Sequence, residues 1–131
     1  MTDTAQGAAT SYRVLVCGGR NYSDHRTLFA VLDDVHGART ISLIIHGACI
    51  QRGLISGADR WAEAWARACE ISYLGVPTRW NAEGNRAGPL RNFRMLNEHK
   101  PDLVIGFPGG KGTAGMLELA RKAGIDRRIV P

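Results

Sequence analysis

Residues 102–113 constrain this chain more than any other stretch. Asp102-Leu-Val-Ile-Gly-Phe107 is an apolar run of strand character, Pro108-Gly109-Gly110-Lys111-Gly112-Thr113 follows it, and a helix-like segment begins near Ala114. Strand, glycine turn and helix start, in that order, are how α/β folds build an anion site. Glycine lets the backbone come close to a phosphate and take up positive φ. The helix start supplies unpaired N–H groups at the positive end of its dipole. The spacing is not that of the P-loop, because Lys111 precedes the last glycine instead of following it. A turn that needs glycine only for close packing would carry the same residues, and the motif alone leaves both readings open.

The rest of the chain repeats the strand-then-helix order. Arg13–Cys17 reads as a buried strand ending in Gly18-Gly19. Ser23 or Asp24 caps a helix with Leu28, Val31, Leu32 and Val35 at helical spacing, stopped by Gly37. Ile41–Ile45 is a second strand, closed by His46-Gly47. After a long loop, Asp59 caps a helix bearing Ala62, Trp65, Ala66 and Cys69 on one face. Residues 71–76 form a short third strand. A loop over Trp80–Gly88 leads to a helix from Pro89, with Leu90, Phe93 and Leu96 on its apolar face. Leu103–Phe107 is the fourth strand, a helix with Thr113, Met116, Leu117 and Ala120 runs to Gly124, and residues 128–131 make a last short strand. The alternation predicts an α/β, Rossmann-like three-layer sandwich: one domain over residues 12–131, with a mostly parallel sheet of about five strands. Ligands of such sheets sit beyond the carboxyl ends of the strands.

Composition adds bounds. At 131 residues the chain is long enough for one real core. Residues 1–11 are small and polar and read as a disordered leader. No stretch approaches the about 20 apolar residues that a membrane span needs. Cys17, Cys49 and Cys69 have neither metal-ligand nor disulfide spacing, which predicts a cytoplasmic protein with no metal and no required cofactor. A net charge of +5 favours anionic partners, nucleic acid among them, although the arginines are scattered and form no run.

Each strand end then offers candidates. Gly18-Gly19-Arg20 lacks the dinucleotide fingerprint, yet its turn can expose amides and Arg20 can fork onto a phosphate. His46 is either a phosphate donor or a buried, satisfied imidazole. Gly57-Ala-Asp59-Arg60 opens a helix, where Asp59 is a cap or a ribose acceptor. Arg91 and Asn92 fall in the first turn of a helix, where arginine opposes the dipole unless an anion or a carboxylate such as Glu83 compensates.

In this order, Cys-Gly-Gly-Arg, His-Gly, Gly-Ala-Asp-Arg-x-Ala, Gly-Pro-x-Arg-Asn-x-x-Met and Phe-Pro-Gly-Gly-x-Gly-Thr resemble the YspA/cpYpsA-related group of the SMF/DprA–LOG (SLOG) superfamily, from about Val14 to Val130. The resemblance implies a nucleotide or nucleotide-derived ligand and a homodimer or higher homo-oligomer. The superfamily includes the LONELY GUY phosphoribohydrolases, which split nucleoside 5′-monophosphates with Arg-Lys-x-x-Met and Pro-Gly-Gly-x-Gly-Thr-x-x-Glu motifs. Here Asn92 replaces the lysine, Met116 stands at the glutamate position, and the loop over residues 49–56 is longer than usual. Methionine cannot stabilise a developing oxocarbenium ion or activate water. Glu118 lies about 200° further around the helix and cannot substitute.

The leading expectation is therefore a binder of an AMP- or ADP-ribose-type ligand. Its contacts would be Gly18, Gly19, Arg20, His46, Gly57, Asp59, Arg91, Asn92, Pro108, Gly109, Gly110, Gly112 and Thr113. The alternative is an N-glycosidase with a displaced carboxylate, in which Arg91 and Asp59 (or Glu83) act in catalysis. A nucleic-acid-binding module ranks third: Trp61, Trp65 and Trp80 are not spaced as a stacking stripe. Trp61 and Trp65 share a helix face that suits a core or a dimer interface.

Overall fold

The computed structural model describes residues 11–131, so the leader expected over residues 1–11 lies, but for Ser11, outside them. The elements are β1 Arg13–Cys17, α1 His25–Ala38, β2 Leu43–His46, β3 Ile50–Gln51, β4 Leu54–Ile55, α2 Gly57–Ala68, β5 Ser72–Gly75, α3 Trp80–Glu83, a 3-10 turn Gly84–Arg86, α4 Ala87–His99, β6 Leu103–Gly106, α5 Lys111–Lys122 and β7 Asp126–Ile129. Five strands form one parallel sheet in the order β5-β2-β1-β6-β7. The order reverses between β1 and β6, and a crevice opens at such a switch point.

Strand alternation explains the two cores. Val14 and Val16 face Leu28, Leu32, Ala62 and Trp65 of α1 and α2. Leu15 and Cys17 face Met95, Leu96, Met116 and Ala120 of α4 and α5. Helices thus cover both faces, and each fully buried aliphatic side chain contributes about 2 kcal/mol. Trp65 is core: it is 2% exposed, and its indole N–H donates to Asp33 Oδ1 at 2.9 Å. Trp61 is half-buried and stacks on His25. Of the two places that suit this pair, core or dimer interface, Trp65 takes the core. Among the described residues, no helix is long and apolar enough to cross a membrane.

Several local expectations need correction. Asp24, not Ser23, caps α1, accepting from the Thr27 amide, and the helix passes through Gly37 to end at Ala38. Ile41 is buried but precedes β2, which starts at Leu43. Asp59 does not cap α2. The cap is Ser56, and Asp59 lies in the first turn with its carboxylate turned inward. The long loop is a β-hairpin, β3–β4, whose central residues Arg52 and Gly53 both have positive φ, as a tight I′ turn requires. Helix α4 starts at Ala87 rather than Pro89, which moves Arg91 beyond the first turn. Its buried residues are Ala87, Asn92, Met95 and Leu96, whereas Phe93 is exposed.

Candidate functional site

At the switch point, the loops after β1 and β6 meet. The Gly19 amide donates to the Pro108 carbonyl at 2.8 Å, and the Gly19 carbonyl accepts from Tyr22 and Ala58. The Gly19 and Tyr22 amides are therefore spent on the protein itself, while Gly18, Gly19 and Arg20 still line the cavity in front of the second turn. Gly18 is glycine for packing, because a Cβ there would sit 2.6 Å from that of Ala58. Gly57, placed above among the ligand contacts, also packs: its φ is +64°, and a Cβ would collide with the Gly19 carbonyl and Arg20 backbone.

The second turn behaves differently. Gly110 caps α5, and the Ala114 amide bonds back to its carbonyl. Among the described residues, the amides from Gly109 to Thr113 have no protein acceptor. In front of them lies a cavity of about 660 Å³, lined also by Cys17, Gly18, Gly19, Arg20, Asn21, Tyr22, Gly47, Cys49, Asp59, Arg91, Asn92, Met95 and Pro108. Gly109 is held tightly, since a Cβ would strike Thr113 Oγ1 and approach the Gly19 nitrogen to 2.7 Å. At Gly110 and Gly112 a Cβ would meet no protein atom within 4 Å. Protein packing does not require glycine at those two positions.

Arg91 and Asn92 join the loops around this cavity. Arg91 Nη1 donates to the Gly47 carbonyl at 2.6 Å and Nε to Asn92 Oδ1 at 3.0 Å. Asn92 Nδ2 donates to the Gly112 carbonyl at 3.1 Å. Asn92, 4% exposed, thus positions Arg91 and the start of α5. Burial pulls the Arg91 guanidinium below its ordinary value, against the opposing field of Asp59, and it remains a cation at neutral pH. Arg20 is exposed at the rim, and among the described residues no protein acceptor holds its side chain.

Asp59 lines the cavity from α2 and accepts from the Cys49 amide at 2.9 Å. Burial raises its pKa; His46, the Cys49 amide, Arg91 and the Gly47 amide pull the other way. An acid whose folded pKa lies above its unfolded value binds more protons when folded. Stability therefore falls as pH rises from the ordinary 3.8 through the folded value. Asp59→Asn is expected to remove that fall. Urea midpoints measured across the acid range check this, and an unaltered slope in the variant contradicts it.

His46 is fully buried, and both ring nitrogens are occupied. Nδ1 accepts from the Ala48 amide at 3.0 Å, and Nε2, as the protonated nitrogen, donates to Glu63 Oε1 at 3.0 Å. It is a satisfied core imidazole and not a phosphate donor. Glu83 is likewise removed from the site, because it pairs with Arg94 at 2.9 Å and does not compensate Arg91. Met116 is fully buried in the core, so nothing at that position reaches a ligand. Cys17 is pushed up to about 12 by burial and by Asp59, which keeps it a neutral thiol.

Sequence reasoning missed Cys17, Asn21, Tyr22, Gly47, Cys49, Met95 and Lys111 as cavity walls. Lys111 was in plain view within the glycine run, where it registered only as a departure from P-loop spacing. Cys49 entered the site through the unforeseen hairpin. The sequence model of the YspA, cpYpsA-related SLOG family matches residues 12–82, which include the first glycine turn and Asp59 but stop short of Arg91 and the second turn. No curated protein matches the chain.

Proposed function

We propose that this chain, which belongs to the YspA/cpYpsA-related SLOG family, binds a phosphate-bearing nucleotide of AMP or ADP-ribose type at the carboxyl ends of β1 and β6. Family membership points to a nucleotide-related role. The observation that carries the finer reading is the row of amides from Gly109 to Thr113, unspent by the protein and facing a cavity that Arg20 and Arg91 also line. A phosphate there accepts from the amides and gains from the α5 dipole. The two guanidiniums add charge-assisted bonds. Asp59, on the opposite wall, is the acceptor for a ribose hydroxyl. Calorimetric titration with AMP and ADP-ribose tests the reading: saturable binding supports it, and no heat at millimolar ligand overturns it.

Gly112 separates ligand from fold. Gly112 is the second residue of α5, where a Cβ meets no protein atom within 4 Å, so Gly112→Ala is expected to leave the thermal midpoint at or slightly above that of the parent. The added methyl narrows the cavity wall and is expected to weaken AMP binding by about fivefold. A variant that binds AMP as well as the parent contradicts the placement.

A second reading, nucleoside 5′-monophosphate phosphoribohydrolase, is favoured by one observation. Asp59 is a buried carboxylate on the cavity wall, which Met116 cannot be. A carboxylate there can stabilise positive charge at C1′ and orient water. Release of free base from AMP, abolished by Asp59→Asn, supports this reading; release that survives the substitution removes Asp59 from it.

A further inference from the structure

A larger cavity, of about 1050 Å³, lies beside the first, between α3, α4 and α5. The two share Arg20, Arg91, Asn92, Lys111 and Gly112, so they adjoin along these residues. The far walls are aromatic: Trp80 is 60% exposed and Phe93 55%. Two large rings left in water on one groove forgo the burial that ordinarily draws such side chains inward. The groove also holds Gly88 and Gly112 on helices, and a Cβ at either would meet no protein atom within 4 Å. Both are the second residue of their helices, and the protein's own packing does not require glycine at either.

Charge is distributed unevenly between the two cavities, with Asp59 on the first alone and Arg86 on the second alone. Arg20, Arg91 and Lys111 gather at the junction. Among the described residues Glu118 is the one carboxylate on the groove wall, and Arg121 engages both its oxygens, at 2.8 and 2.6 Å. A fitting occupant thus carries negative charge at the junction and flat rings on either side of it. Trp80 and Phe93 line the second cavity and not the first, whereas Lys111 and Gly112 line both.

We propose, resting on the nucleotide reading above, that the ligand spans both cavities: two nucleosides joined through a pyrophosphate, with the bridge at the Arg20–Arg91–Lys111 junction and the second base against Trp80 and Phe93. Stacking of one base on such rings is worth about tenfold in affinity.

The probes are AMP and diadenosine pyrophosphate, titrated calorimetrically into the full chain. Diadenosine pyrophosphate is expected to bind about tenfold tighter than AMP. Trp80→Ala and Phe93→Ala, both at exposed positions, are each expected to erase most of that gain while AMP affinity stays within about twofold. Equal affinities for the two probes overturn the two-cavity ligand and leave the phosphate cavity standing. Failure of both probes to bind overturns both readings. Tighter binding of an oligothymidylate of about ten nucleotides assigns the groove to single-stranded nucleic acid and overturns the proposal. So does loss of a dimer on sedimentation of Trp80→Ala with both affinities unchanged, which assigns the rings to a second copy of the chain.

Discussion

Arg91→Ala is expected to lower AMP affinity by a factor of about thirty or more, the size of effect seen when one partner of a buried, hydrogen-bonded charge pair is truncated. The guanidinium is anchored before any ligand arrives. Gly47 holds one arm and Asn92 another, so little ordering cost remains when a phosphate approaches. Its positive charge also opposes the buried Asp59, and without it that carboxyl is expected to shift further upward. Loss of hydrogen bonds from a charged donor also lowers stability by about 2 kcal/mol. Arg91→Lys keeps the charge and loses the fork, and a lysine cannot serve the Gly47 carbonyl and Asn92 in one plane. Its affinity is expected to fall between those of the parent and the alanine variant. Calorimetry on all three proteins checks the order, and an alanine variant within about threefold of the parent contradicts it.

The largest loss of stability is expected at Gly57→Ala, a position outside the lining of the first cavity. Its φ of +64° is left-handed, which costs an alanine about 1–2 kcal/mol. The added Cβ would also overlap the Gly19 carbonyl and lie 2.7 Å from the backbone of Arg20. Neither partner is a flexible side chain that could swing away. Relief requires moving the β1 loop, whose Gly19 is tied to Pro108 and Ala58. A loss of at least about 3 kcal/mol follows, or roughly 10 °C in the thermal midpoint of a chain this size. Thermal unfolding followed by circular dichroism measures it. A midpoint within about 2 °C of the parent would mean that the turn yields where its geometry says it cannot.

What could be read beforehand divides along physical lines. Apolar runs and helical periodicity placed all five strands of the main sheet, and the order of strands and glycine turns placed the crevice. Those signals depend on burial, which the sequence records directly. The hairpin over residues 50–55 escaped because Arg52, not asparagine or aspartate, precedes Gly53 at the turn. Phe93 was assigned to a core face because it is apolar, and it stands instead on an open groove. The two glycine turns, Gly18-Gly19 and Gly109-Gly110, look alike in one dimension. Only the hydrogen-bond ledger distinguished Gly18-Gly19, whose turn serves the fold, from Gly109–Thr113, whose amides stay unclaimed. His46 and Asp59 show the same limit: both are buried polar residues, yet one is fully satisfied inside the core and the other borders the cavity.

Phosphate binding at this site depends on particular amides, and amide resonances report on them one at a time. In a titration of AMP into nitrogen-15-labelled protein, the signals of Gly109, Gly110, Lys111, Gly112 and Thr113 are predicted to move saturably and together, with a single dissociation constant. Saturable shifts confined to other parts of the chain, while these five amides stay still, would contradict it.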